Sequence, residues 1–183
     1  MNGHQMQKEQ SRKMIQDALF GLMEEKGFAQ VTVSEIVEKA DVARRTFYRL
    51  YHDKMDVIRF YFRELCRDYG RRYKPLQSYD IGKIAEEYFG FWYQHREFLL
   101  LLHKSGLDDV LYYEISRASA EVVGKRIGSG EAKKAAGVEY FVRYTSGGFL
   151  NLLYCWIMDG MQETPENYAE NVRKVLLQFI RPV

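Results

Sequence analysis

Cysteine, proline and strand-like alternation are all scarce in this chain of 183 residues. The two cysteines, Cys66 and Cys155, lie far apart in apolar surroundings with no CxxC or Cys/His spacing, which argues against a disulfide framework or a metal site and for buried free thiols. The three prolines all come after residue 74, and period-2 patterning is nearly absent, so the expected fold class is all-α. No apolar run approaches the roughly 18 residues of a membrane span, and the opening MNGHQMQKEQSRK lacks the apolar stretch of a signal peptide; a cytoplasmic protein without a membrane partner is expected. A Gly-rich phosphate loop, GxSxG and HExxH are missing too, and His52, His95 and His103 share no ligand spacing. The expectation is therefore no enzyme, no metal and no cofactor.

What is present is unevenly placed. The formal net charge is only +2, yet residues 1–74 hold 15 basic against 11 acidic side chains, and the remainder is slightly acidic. Ile15, Ala18, Leu19, Leu22 and Met23 follow helical spacing and Gly27 supplies a stop, so a first helix is expected from about Lys8 to Lys26. Thr32 and Glu35 form a capping box that opens a two-turn second helix ending near Asp41, a residue that tolerates a left-handed turn. A third helix follows over Arg44 to about Tyr51, and Asp53 with Asp56 starts a fourth. Beyond Pro75, helices are expected over 79–94, 96–104, 107–126, 131–159 and 165–181, with the GSG at 128–130 as the loosest connection.

The stretch ADVARRTFYRLYHDK, residues 40–54, crowds three arginines, a lysine and three aromatic rings together. On a helix it separates into two faces, with Phe47, Leu50 and Tyr51 on one side and Arg44, Arg45, Tyr48 and Arg49 on the other; Thr46 lies at the boundary. A two-turn capped helix, a tight turn and a short Arg-faced helix make the pattern that enters a DNA major groove, where Arg is the commonest bidentate partner of guanine. Lys54 opposes the dipole of the fourth helix, which a nearby phosphate would explain, and Thr32 offers a hydroxyl at a helix start.

VTVSEIVEKADVARRTFYRLYHDK resembles the N-terminal helix-turn-helix of TetR-type bacterial transcriptional regulators, and the likeness is strong over about residues 8–56. It implies a three-helix DNA-binding domain at 8–52, joined through a shared fourth helix to a helical ligand-binding and dimerisation domain at 53–183. By the resemblance Arg44, Arg45, Thr46 and Arg49 face bases or flanking phosphates, while Thr32, Tyr48 and Lys54 hold the backbone. Two positions depart from the family pattern: Asp41 stands where Gly is usual, and Ala43 where Ser often caps the third helix.

Seventeen of the 27 aromatic residues fall between Tyr79 and Phe179. A chamber lined by Phe62, Leu65, Tyr88 and Trp92, with polar tips from Tyr88, His95 and Tyr144, would suit an apolar or aromatic small molecule. The segment YFVRYTSGGFLNLLYCWIMDGMQETPENYAENV also looks like the last two helices of one branch of the TetR family, which pair across a twofold axis. That likeness implies a homodimer contacting through Gly147, Gly148, Leu152, Val172, Leu176 and Phe179. The expected function is a dimeric regulator, most simply a repressor, that binds a double-stranded palindromic operator and is released by a small-molecule effector. The rival expectation is a ligand carrier of the same fold that has lost specific DNA binding.

Overall fold

The computed structural model describes residues 3–72, 81–127 and 138–180, and among these the secondary structure is helical throughout. The helices are α1 (Gly3–Lys26), α2 (Val33–Lys39), α3 (Arg44–Leu50), α4 (Lys54–Arg72), α5 (Ile81–Gln94), α6 (Arg96–Lys104), α7 (Asp108–Ile127), α8 (Val138–Met158) and α9 (Pro165–Ile180), with one 3₁₀ turn at Phe28–Gln30. The expected parts at residues 79–80, 128–137 and 181, the GSG included, lie outside the described residues.

The first helix begins at Gly3, five residues before the expected Lys8, because residues 3–10 extend it as a wholly exposed polar segment with no apolar stripe to mark it. Further along, Ile15, Ala18, Leu19, Leu22 and Met23 are all buried, and Gly27 ends the helix at a φ of 77°. That positive φ favours glycine because it has no Cβ. The expected α6 coincides with the observed one, and α9 opens as read: Thr164 Oγ1 accepts from the Asn167 amide at 3.4 Å, and Pro165 takes the first helical position.

Helices α1 to α3 pack together around Ile15, Leu19, Ile36, Phe47 and Tyr51, none more than 2% exposed. The long α4 touches both α1 and α7. A ring cluster marks its seam with the rest of the chain: Phe20 of α1 meets Tyr61 of α4 at 5.2 Å and Phe98 of α6 at 5.0 Å, and Phe62 of α4 meets Phe98 at 5.1 Å. Burying rings of this size dominates local packing energy. Farther on, α5 packs along α9 and α7 along α8. Phe89 of α5 fits against Phe149 and Trp156 of α8 and Tyr168 of α9. The cysteines depart from expectation: Cys66 is half-buried and Cys155 exposed, since α8 is apolar over most of its circumference and periodicity does not tell which side turns outward.

Candidate nucleic-acid interface

The geometry of α3 is set by what comes before it. Thr32 extends ahead of α2, its Oγ1 accepts from the Glu35 amide at 3.3 Å, and the Glu35 carboxylate accepts from the Thr32 amide at 2.9 Å. Both halves of a capping box are thus present. An ion pair from Lys26 to Glu35 ties the end of α1 to the start of α2. That Lys26 contact, with the Thr32 hydrogen bonds, lowers the Glu35 pKa from 4.5 to about 2. After α2, Asp41 adopts a φ of 49°, the left-handed turn expected there, and the Val42 amide reaches back to the Val37 carbonyl at 3.0 Å. Ala43 caps α3 with its backbone alone: its carbonyl accepts from Thr46 at 2.7 Å and Phe47 at 3.3 Å, with no side-chain bond.

The two faces of α3 separate as its spacing requires. Phe47 and Tyr51 are buried and Leu50 half-buried, and the Tyr51 hydroxyl accepts from Gln16 Nε2 at 3.3 Å. Arg44, Arg45, Tyr48 and Arg49 are exposed, and Thr46 is half-buried between the faces. The four exposed side chains are not equivalent. Arg44 donates to Ser34 Oγ of α2 at 3.0 Å and to the Tyr48 hydroxyl at 3.4 Å, so it braces the start of α3 against the start of α2. Arg45 and Arg49 make no hydrogen bond or ion pair among the described residues, leaving two guanidinium groups with all their donors turned to solvent.

Two residues expected on phosphates have other employment. The Lys54 ammonium donates to the carbonyls of Phe28 at 2.7 Å, Ala29 at 3.2 Å and Val31 at 2.7 Å, and lies over the Phe28 ring at 4.4 Å. All three of its N–H donors are used, so it staples the connection between α1 and α2 onto the start of α4, and the dipole argument for a phosphate falls. Burial there lowers its pKa. Thr32 is likewise committed: its hydroxyl donates to Glu35 Oε2 at 2.7 Å, and its amide serves the same carboxylate. Neither residue has a donor left over for DNA in this arrangement. Asp53 caps α4 as expected, accepting from the Asp56 amide at 2.7 Å.

In the C-terminal helices, Phe62, Leu65, Tyr88 and Trp92 are buried together and His95 is half-buried. Tyr144 is 78% exposed and contributes no polar tip to that interior. Of the residues expected at a dimer contact, Gly147 and Gly148 are exposed, and a Cβ at either would meet nothing within 4 Å. Leu152 and Leu176 are half-buried, and the Phe179 side chain lies outside the described residues. Val172 is 8% exposed and packs within its own chain, which removes it from that group. The exposed apolar side chains of these helices that spacing did not single out include Tyr112, Tyr113, Tyr140, Met158, Val175 and Leu177. Tyr140, Tyr144, Gly147, Gly148, Asn151 and Cys155 recur at intervals of three and four along α8, all exposed. No group of three or more metal-ligating side chains occurs among the described residues, and none of their helices is long and apolar enough to cross a membrane.

Comparison with known proteins gives this arrangement a family. Residues 15–59 match the family of bacterial regulatory proteins called the tetR family, and residues 80–178 match a transcriptional regulator C-terminal region of the same family series. The chain belongs to the TetR family. An uncharacterized HTH-type transcriptional regulator, YxbF of Bacillus subtilis (strain 168), is 19% identical over 177 residues; the match covers 93% of this chain and 46% of the relative, so the chain spans about half the length of that curated protein. Among solved structures, the dihydroxyacetone kinase operon activator DhaS superposes with a TM-score of 0.67 at 18% identity, covering 93% of this chain and 96% of the other. The fatty acid degradation regulator FadR from Bacillus halodurans superposes with a TM-score of 0.65 at 20% identity, covering 94% and 97%. These two likenesses establish a shared all-helical fold.

Proposed function

We propose that the chain is a DNA-binding transcriptional regulator that acts as a homodimer on a palindromic operator, with α3 in the major groove and release driven by a small molecule held among the C-terminal helices. The observation that carries this reading is the division of α3: Phe47 and Tyr51 lock one face into the core while Arg45 and Arg49 stand exposed and unpaired on the other. A seven-residue helix is about 10 Å long, which suits a groove about 12 Å wide. Arg45 lies in the first turn, the end that meets base edges in helix-turn-helix docking, and Arg49 a turn later suits a phosphate. Tyr48, 51% exposed with its ring edge on Phe47, offers a neutral hydroxyl to the backbone. Arg44 serves by bracing and Thr46 by flanking.

The exposed row on α8 supports self-association, because Gly147 and Gly148 leave room for a second helix to approach where Tyr140 and Tyr144 would otherwise remain in water. Two copies of α3 set one DNA turn apart then read a repeated half-site. Repression is the simplest sign, since an occupied operator blocks transcription without further contacts.

The test is binding of the purified full chain to labelled DNA from upstream of its own gene, against a scrambled duplex, over a salt series. Preference for the native duplex, with Arg45→Ala costing roughly 1–3 kcal/mol and relaxing base preference, supports the reading. Equal binding to both duplexes, or no salt-steep binding at all, refutes it and favours a ligand carrier of this fold.

A further inference from the structure

Helix α5 carries Tyr88 and Trp92 four residues apart on one face, and His95 follows directly after its last residue, Gln94, in the turn that leads into α6. Each has a polar atom shut away from solvent without a hydrogen-bond partner among the described residues: the Tyr88 hydroxyl, Trp92 Nε1 and His95 Nε2. Tyr88 is 7% exposed and Trp92 2%. Native interiors pair nearly all such atoms, so three within eight residues is a concentration rather than a stray exception. The other orphaned indole, Trp156 Nε1, stands alone between rings stacked on both sides, Tyr93 at 5.5 Å and Tyr168 at 4.6 Å.

The surroundings are rings. Phe62 of α4 lies 6.4 Å from Trp92, and Tyr69 of α4 and Phe149 of α8 lie 6.0 and 5.4 Å from Tyr88, centroid to centroid. Burial pushes the Tyr88 hydroxyl well above its usual range; the Trp92 N–H is near enough to oppose that rise but is not in hydrogen-bonding geometry with it. Two donors therefore converge on one spot without using each other. The charges close by are already matched: Arg72 pairs with Asp68 at 2.6 Å, and Arg117 with Glu114 at 2.8 Å. Burial, and then Arg72, lower the His95 pKa and so disfavour its charged form, with Asp68 opposing.

We propose that this α5 face recognises a neutral effector with an apolar body and one carbonyl, whose oxygen accepts from the Tyr88 hydroxyl and Trp92 Nε1, with His95 as a further polar contact one turn along. This rests on the reading that the C-terminal interior is the effector site. Indole N–H only donates, so the ligand must bring an acceptor, and a carbonyl oxygen has two lone pairs for two donors. A carboxylate would bring a charge where the nearby described cations, Arg72 and Arg117, are already paired, and an ammonium would set donors against a donor.

The experiment uses the full chain with four matched probes: valerophenone, pentylbenzene, phenylvalerate and a protonated phenylpentylamine, read by tryptophan fluorescence and thermal shift. Valerophenone is expected to bind about ten-fold more tightly than pentylbenzene, the size of one good buried hydrogen bond. Tyr88→Phe and Trp92→Phe each reduce that ratio to about three-fold or less while pentylbenzene still binds. Tyr88→Phe also raises the Tm of the ligand-free protein, because an unpaired buried hydroxyl has been removed. Equal binding of ketone and hydrocarbon, tighter binding of either ion, no binding of any probe, or a ketone preference that survives both substitutions overturns the proposal. Operator binding measured on the same samples separates the outcomes: probes that fail while native DNA is still preferred sink this inference alone, and failure of both sinks the regulator reading as well.

Discussion

The N-terminal three helices and the C-terminal bundle are held together by different means. In the first, polar groups are largely matched, Arg12 Nε excepted: Thr32 with Glu35, Lys26 with Glu35, Arg44 with Ser34, and Lys54 with three carbonyls. In the second, rings pack on rings, as Phe89 does with Phe149, Trp156 and Tyr168, while the polar atoms of Tyr88, Trp92 and His95 stay unmatched inside. A unit with satisfied polar contacts is rigid and points its surplus donors, those of Arg45 and Arg49, outward. A unit with unsatisfied donors inside is suited to take up a molecule that completes them. The division of labour between reading DNA and sensing an effector thus has a counterpart in where the unused hydrogen-bonding capacity lies.

The contrast can be broken at graded cost. Phe89→Ala strips the centre of the ring packing and is expected to cost roughly 3–5 kcal/mol in urea denaturation, the largest effect of any change named here. Lys54→Met leaves three carbonyls without their donor and removes the cation over the Phe28 ring; a loss of about 2 kcal/mol in the same measurement is expected. Thr32→Ala removes the cap on α2 and should cost about 1 kcal/mol. The smallest effect is one of pH. The folded Glu35 carboxyl is held at about 2 rather than 4.5, so its contribution to stability is fully present above pH 4.5 and is lost as pH falls toward 2. The Tm difference between wild type and Glu35→Gln should therefore shrink over that window; a difference independent of pH would separate Glu35 from the hydrogen bonds assigned to it.

Much of the N-terminal unit was legible because its signals are local. A capping box spans four residues, the turn at Asp41 needs only its own φ, and the two faces of α3 follow from eight consecutive side chains. The partners of Lys54 are not legible for the same reason. Its position at the start of α4 shows only an opposed dipole, whereas its partners lie 23 to 26 residues earlier in the chain. The C-terminal helices defeat periodicity in another way. With apolar residues on most sides of α8, the sequence assigns Tyr144 to the interior, where the structure has it exposed, and the family likeness assigns Val172 of α9 to a contact between copies, where the structure buries it within its own chain. Tyr88, Trp92 and His95 are legible in the sequence as candidates for a ring-lined chamber; that their polar atoms go unpaired depends on what α4 and α8 place opposite them.

The account turns on which cations of the N-terminal unit meet DNA, and the salt dependence of operator affinity decides it. Arg49→Ala and Lys54→Met should be measured side by side, at a temperature where both remain folded. If Arg49 contacts phosphate and Lys54 is a staple, Arg49→Ala lowers the slope of log affinity against log salt by about one, and Lys54→Met leaves the slope unchanged despite its lower stability. The reverse pattern, a slope lost with Lys54 and kept without Arg49, would contradict the assignment of DNA reading to the free face of α3.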